Sequence, residues 1–144
     1  MLDQQYVYLQ QRSTTTSFCE AIMIDCLDVV IAHTDPESGQ LLALSLGRYF
    51  RSVTIATTAE ELRSAIASKR IPIAVADLDL IGMRGVQQLR NDHGTFIIGI
   101  HRIPDESMWA EALGHGAMDC CQTSDIASII AAVRRDAGLS SHAA

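Results

Sequence analysis

Basic residues are scarce in this chain: 11 Lys and Arg stand against 17 Asp and Glu, for a formal net charge of −6. Affinity for nucleic acid rests on Lys and Arg that neutralise phosphates, so this balance argues against a nucleic-acid partner. The chain also lacks any long uninterrupted apolar run and any basic-then-apolar leader, so neither membrane insertion nor secretion is expected. Its four cysteines, Cys19, Cys26, Cys120 and Cys121, form no C-x-x-C pair, and two of them are adjacent, an awkward geometry for a mutual bridge. A reduced cytoplasmic protein with buried thiols is the expectation. No glycine-rich nucleotide loop, nucleophile elbow or metal-binding motif is found, which leaves a small redox or metal-dependent α/β enzyme without a motif to carry it.

What is present is the material of one domain. A chain of 144 residues, 48% hydrophobic, closes a core without staples. Its start, MLDQQYVYLQQRSTTTSF, is polar and rich in Gln and Thr, and residues 1–27 are expected to be an N-terminal extension. The domain is expected over 28–136, followed by a short flexible tail, AGLSSHAA, over 137–144.

From Asp28 onward, short apolar runs alternate with amphipathic stretches, the signature of an α/β layer architecture with a mainly parallel sheet. LDVVIAH, SVTIAT, IPIAVAD and TFIIGIH read as strands, with AMDCC as a shorter fifth. IPIAVAD is the most apolar and is expected at the centre; Pro72 stands near its start, where a missing donor is tolerated. Thr34 with Glu37, and Thr58 with Glu61, have capping-box spacing, and Pro36 suits the first helical turn. Leu42 with Leu46, Leu62 with Ile66, Val86 with Leu89, and Met108 with Ala112 give successive helices an apolar face. Between Asp77 and Val86 a loop is expected before a short helix. SDIASIIAAVRRD carries the stripe Ile126, Ile129, Ile130 and Val133, with Arg134 and Arg135 expected in its last turn. Five strands alternating with five helices predict a right-handed doubly wound (βα)5 fold.

Asp77 ends the central run. In an open α/β sheet, ligands bind in the crevice beyond the carboxyl ends of the strands, so this carboxylate is the first candidate for chemistry.

The quoted pieces VVIAHTDPE, PIAVADLDLIGMRG and GHGAMDCCQTSD resemble, in order and spacing, the receiver domain of two-component response regulators, over Asp28 to Asp136. The resemblance implies a flavodoxin-like five-stranded parallel sheet of order 2-1-3-4-5, Asp77 at the phosphoacceptor position, and Mg²⁺ as cofactor. Gly82, Met83 and Gly85 match the turn after the acceptor, and Gly116, Ala117 and Asp119 match the approach to the fifth strand. The rest of the implied site differs. The family's two acidic metal ligands fall at His33 and Thr34, with Asp35 one step later. Its hydroxyl at the end of the fourth strand falls at Ile100 or His101, and its lysine falls at Thr123, beside Ser124.

A hard cation prefers carboxylate oxygens in octahedral geometry, and imidazole or hydroxyl does not replace them equivalently. The resulting expectation is an atypical receiver that acts as a signalling or protein-interaction module, not phosphorylated by the usual Mg²⁺-dependent route. The alternative is a working phosphoacceptor in which Asp35 joins Asp77 on the metal and a histidine kinase is the upstream partner. His33, His101, Asp35 and Asp77 converging on a transition metal is a separate reading, set against a satisfied strand-end His33. Cys120 and Cys121 are expected to pack as small hydrophobes on opposite sides of the last strand, without a cation to lower a thiol pKa. Asp79 is expected to face loop or solvent. The resembled family meets partners through its fourth helix, fifth strand and fifth helix, which here carry Glu106, Glu111, His115, Asp119, Gln122 and Asp125, so a protein partner or a homodimer is expected there; Trp109 on the fourth helix is either core or interface, which its exposure decides.

Overall fold

The computed structural model of the chain describes residues 25–143, with side chains through Arg135. The expected N-terminal extension lies outside the described residues as far as residue 24, and Cys19 with it. Five βα units follow one another: β1 (Asp28–Ala32) and α1 (Pro36–Leu46), β2 (Ser52–Ala56) and α2 (Ala59–Lys69), β3 (Ile73–Asp77) and α3 (Leu78–His93), β4 (Phe96–His101) and α4 (Glu106–Gly114), β5 (Asp119–Gln122) and α5 (Ile126–Ala143). The backbone of α5 thus continues past Asp136, through most of the stretch expected as a tail. No helix among the described residues is long and apolar enough to cross a membrane.

All strand pairings are parallel, in the order β2-β1-β3-β4-β5, the predicted 2-1-3-4-5 arrangement. Because side chains alternate across a strand, consecutive apolar runs feed two cores at once. Val29, Ile31, Ile73, Val75, Ile98 and Ile100 pack with Leu42 and Leu46 of α1 and Ile129, Ile130 and Val133 of α5. On the opposite face, Val30, Ala32, Ala74, Ala76 and Ile97 meet α2 through Leu62 and Ile66, α3 through Val86 and Leu89, and α4 through Ala112. The central β3 is buried along its whole length.

The second face is lined by small residues where it matters most. Ala56, Ala32, Ala76 and Gly99 stand level across four adjacent strands. Leu78, the first residue of α3, fills the space over Gly99: a Cβ there would sit 2.8 Å from its Cδ2 and 3.0 Å from its Cγ. The absent side chain lets α3 start directly at the strand tip.

Three local expectations are corrected. The N-cap of α1 is Asp35, not Thr34: its carboxylate accepts from Glu37 N at 3.3 Å and Ser38 Oγ at 2.8 Å. A carboxylate serves two donors of the first turn at once, while the Thr34 hydroxyl is turned to another partner. The stretch after Asp77 is no loop. It is helical from Leu78 and breaks only at Gly82, whose φ of 68° and ψ of 173° need glycine. Arg134 and Arg135 lie within α5 rather than in its last turn, since the helix runs to Ala143. The Thr58 cap does form, accepting from Glu61 N at 3.0 Å; the Glu61 carboxylate reaches back to Thr57 N at 2.8 Å, one residue further than in a standard capping box.

At the other end of the sheet, Asp28 receives Arg51 Nε and Nη2 at 3.0 and 2.9 Å and Ser52 Oγ at 2.8 Å, which joins the starts of β1 and β2. The Arg51 hydrogen bonds, then that of Ser52, hold the Asp28 carboxyl at about 2, below its ordinary 3.8. A depressed carboxylate pKa contributes stability that is complete above the unfolded value and lost as pH falls through the folded one. Acid titration of the folded protein is therefore expected to show a destabilising step between about 3.8 and about 2 that Asp28→Asn removes. Gly99→Ala is expected to cost about 1–3 kcal/mol in urea unfolding through overpacking against Leu78. Adding Leu78→Ala to Gly99→Ala then costs less than Leu78→Ala costs the parent; additive losses would contradict this contact.

Candidate functional site at the strand tips

Asp77 ends the central strand and begins a helix, and this double position explains its environment. Asp77 is 7% exposed. Oδ1 accepts the Asp79 amide at 3.0 Å and so caps α3. Oδ2 accepts the Thr34 hydroxyl at 3.3 Å, from the loop after β1, the neighbouring strand. The Thr34 hydroxyl missing from the α1 cap is therefore engaged here.

His33, also buried, brings Nδ1 to 3.9 Å from Asp77 Oδ2. That nitrogen already accepts the Asp35 amide at 3.0 Å. An imidazole nitrogen offering its lone pair to an N–H carries no proton for a carboxylate, so the contact is a neutral neighbour rather than an ion pair. Asp35 is exposed and faces its own helix; the Ser38 hydroxyl, then the Glu37 amide, hold its carboxyl below the usual range. Its distance-resolved partners are thus those of a cap.

The donor set at this pocket is one carboxylate, one hydroxyl and one imidazole. Mg²⁺ requires carboxylate oxygens beside water in near-octahedral array, and these residues do not fit it. Among the described residues no group of three or more His, Cys, Asp and Glu side chains is placed to hold a metal ion.

Ile100 lies level with Asp77 across the β3–β4 pairing and is fully buried. It brings no hydroxyl to the pocket. His101, the last residue of β4, accepts the Ile103 amide on Nδ1 at 3.1 Å and places Nε2 3.3 Å from Asp79 Oδ2. Asp79 is mostly exposed, as expected, yet it forms a lid contact with His101 that its position beyond the acceptor gave no reason to anticipate. The Thr123 amide donates to the His101 carbonyl at 3.0 Å, and its side chain lines a groove with Leu41 and Leu42 of α1. The sequence has a single lysine, Lys69, which ends α2 and acts electrostatically on Asp28, at the opposite end of the parallel sheet from Asp77.

On β5 the two cysteines do take opposite sides: Cys121 belongs to the core under α1 and α5, and Cys120 packs on the other. Burial, reinforced by Asp119, raises the Cys120 thiol and pushes Cys121 up to about 12. Neither is the thiolate that redox chemistry requires.

The face of α4, β5 and α5 contains a connection that sequence spacing does not reveal. Trp109 Nε1 donates to Asp119 Oδ1 at 3.0 Å, and Arg135 Nη2 donates to Asp119 Oδ2 at 3.1 Å. One carboxylate thereby links both helices through the strand between them. The signal available in sequence was only an aspartate at a strand start; its partners lie 10 and 16 residues away. Trp109 remains 45% exposed.

No family model matches this chain, and no curated protein does. Solved structures match it well. A two-component response regulator from Clostridium difficile has a TM-score of 0.64 at 21% identity, covering 76% of this chain and 97% of that one. The fold is the receiver fold. The BeF3-activated N-terminal receiver domain of RstA from Klebsiella pneumoniae gives 0.66 at 24% identity over 74% of this chain and 95% of its own. The signal receiver domain of a putative Luxo repressor protein from Vibrio parahaemolyticus gives 0.68 at 14% identity over 82% and 97%. At these identities the likeness is one of receiver architecture.

Trp109 is the only tryptophan in the sequence, so its emission reports the Asp119 connection directly. Asp119→Ala is expected to shift that emission to the red and raise its quenching by acrylamide; an unchanged spectrum would mean that the indole is not held there.

Proposed function

We propose that this chain is an atypical receiver module that acts through protein contacts, without accepting a phosphoryl group by the usual Mg²⁺-dependent route. The observation that carries this reading is the state of Asp77: both carboxylate oxygens accept hydrogen bonds from within the chain, and the side chains beside them are a hydroxyl and an imidazole. Attack on a phosphoryl group brings anionic oxygens against a carboxylate, and a divalent cation normally offsets that charge. Thr34 and His33 offset it only as neutral dipoles. Asp77 then serves as the N-cap of α3 and as the tie between β3 and the loop after β1, a role worth on the order of 1 kcal/mol.

The α4–β5–α5 face supports the second half of the reading. Its partner is a protein, either a second copy or an output partner, and its centre is Trp109. A large amphipathic side chain held by a hydrogen bond yet nearly half exposed loses little conformational freedom on binding, which favours it as a contact anchor. Glu106, Glu111, Gln122 and Asp125 give that anchor a polar rim. The raised thiol pKa values on β5 do not favour redox catalysis at Cys120 or Cys121. An upstream histidine kinase belongs to the phosphoacceptor alternative.

Two measurements test the reading. Incubation with a small-molecule phosphodonor and Mg²⁺ is expected to leave the intact mass unchanged; a stoichiometric phosphoryl adduct that disappears in Asp77→Asn would overturn it. Sedimentation velocity over a range of concentrations is expected to show self-association that Trp109→Ala weakens by roughly tenfold or more. A monomer at all concentrations would exclude the second copy and leave the output partner as the occupant.

A further inference from the structure

Helix α1 is apolar on two sides. Gly39, Leu42 and Leu46 face the sheet and are buried, while Leu41 and Leu44 expose 63% and 73% of their surface. Glu37, Leu41, Leu44 and Arg48 are all exposed and follow one another at i, i+4, i+7 and i+11, the spacing of a coiled-coil seam. Gly47, the C-cap, keeps right-handed helical dihedrals, φ −60° and ψ −17°, so Arg48 continues the same spiral. A groove borders this ridge on each side. One, of about 440 Å³, is walled by Ala43, Leu44, Phe50 and Ile55; the other, of about 320 Å³, by Leu44, Arg48, Tyr49 and Ile126.

The charges at the two ends of the stripe decide what fits it. Glu37 opens the stripe and Arg48 closes it, about 16 Å apart along the axis, and neither forms an ion pair among the described residues. Read backwards, the stripe is its own complement. A two-fold axis passing between Leu42 and Ala43 sets Glu37 opposite the second copy's Arg48, and Leu41 opposite the second copy's Leu44. A parallel pairing would instead set like charges against each other at both ends, at a cost. The antiparallel one also opposes the two helix dipoles favourably.

We propose that the outer face of α1 is a self-association surface, on which a second copy of this chain packs its own α1 antiparallel. The Leu41 and Leu44 side chains of each copy form the apolar centre, and two Glu37–Arg48 pairs close its ends. Ser45 and Gly47, which flank the stripe, are small enough to let the two backbones approach. A pair of helices this short falls at the low end of interface size, below about 1,200 Å² in total, so the dimer is a weak and reversible one. The pairing shares no residue with the Trp109–Asp119–Arg135 link, and it stands or falls apart from the function proposed above.

Sedimentation velocity of the full chain tests it, at about 0.15 M ionic strength, where the charge of −6 on each copy is screened beyond about 8 Å. Every protein compared carries Trp109→Ala, which weakens association through the α4–β5–α5 face and leaves that through α1. Concentration-dependent dimerisation is expected to persist in this background, and Leu41→Asp with Leu44→Asp to abolish it. Glu37→Arg and Arg48→Glu, each alone, are expected to weaken it by about tenfold, since each creates two like-charged pairs across the seam. An equimolar mixture of those two variants is expected to recover the starting affinity to within about threefold, because every charge then meets its opposite. A monomer at all concentrations, dimerisation indifferent to these changes, or a mixture that associates no better than its components would each overturn the proposal.

Discussion

The seating of Leu78 against Gly99 is the constraint on which the rest of the strand-tip architecture depends. Because position 99 has no side chain, the first residue of α3 descends onto the sheet immediately after β3, with no intervening loop. The residue before it, Asp77, is then forced to serve two elements: it completes the central strand and caps the helix. A strand that turns into a helix in one residue leaves the helix N–H groups pointing at the turn, and a carboxylate there satisfies them. The position that draws attention as a reaction centre is thus also a structural joint.

That joint is completed by neutral groups. Thr34 gives Asp77 a hydroxyl proton, and His33 turns a lone pair, not a proton, to the neighbouring backbone. Asp35, the remaining acid of the region, faces the first turn of α1, where one oxygen accepts from Glu37 N and the other from Ser38 Oγ. One residue of offset separates a capping aspartate from one that could face Asp77. The chain keeps the receiver architecture while the charge arrangement at the strand tips is held by hydrogen bonds alone.

The periphery follows a different logic, in which single acidic groups tie elements together across the sheet ends. Asp28 joins β1 to the start of β2 through Arg51, and Asp119 joins α4 to α5 through Trp109 and Arg135. Both are partly exposed, so their energetic weight is modest, but their geometry fixes which surfaces face outward. The Asp119 link holds Trp109 at the surface; the Asp28 link fixes the start of β1 against that of β2.

By itself the sequence determined the layer architecture, the strand order through its receiver-like motifs, and the central place of IPIAVAD. These follow from local periodicity and from burial of consecutive β-branched residues, properties written along the chain. It also identified Asp77 as the end of the central run, and the opposed cysteines, because alternation along a strand decides which side each residue faces. The tertiary structure alone decided how the polar groups are shared. Thr34 and Asp35 both suit a helix cap by type, and only the approach of Asp77 from a strand 43 residues away assigns the hydroxyl to one task and the carboxylate to the other. The Trp109–Asp119–Arg135 link and the His101–Asp79 contact were invisible for the same reason: hydrogen-bond partners are chosen by position in space, and sequence spacing between separate elements does not encode it.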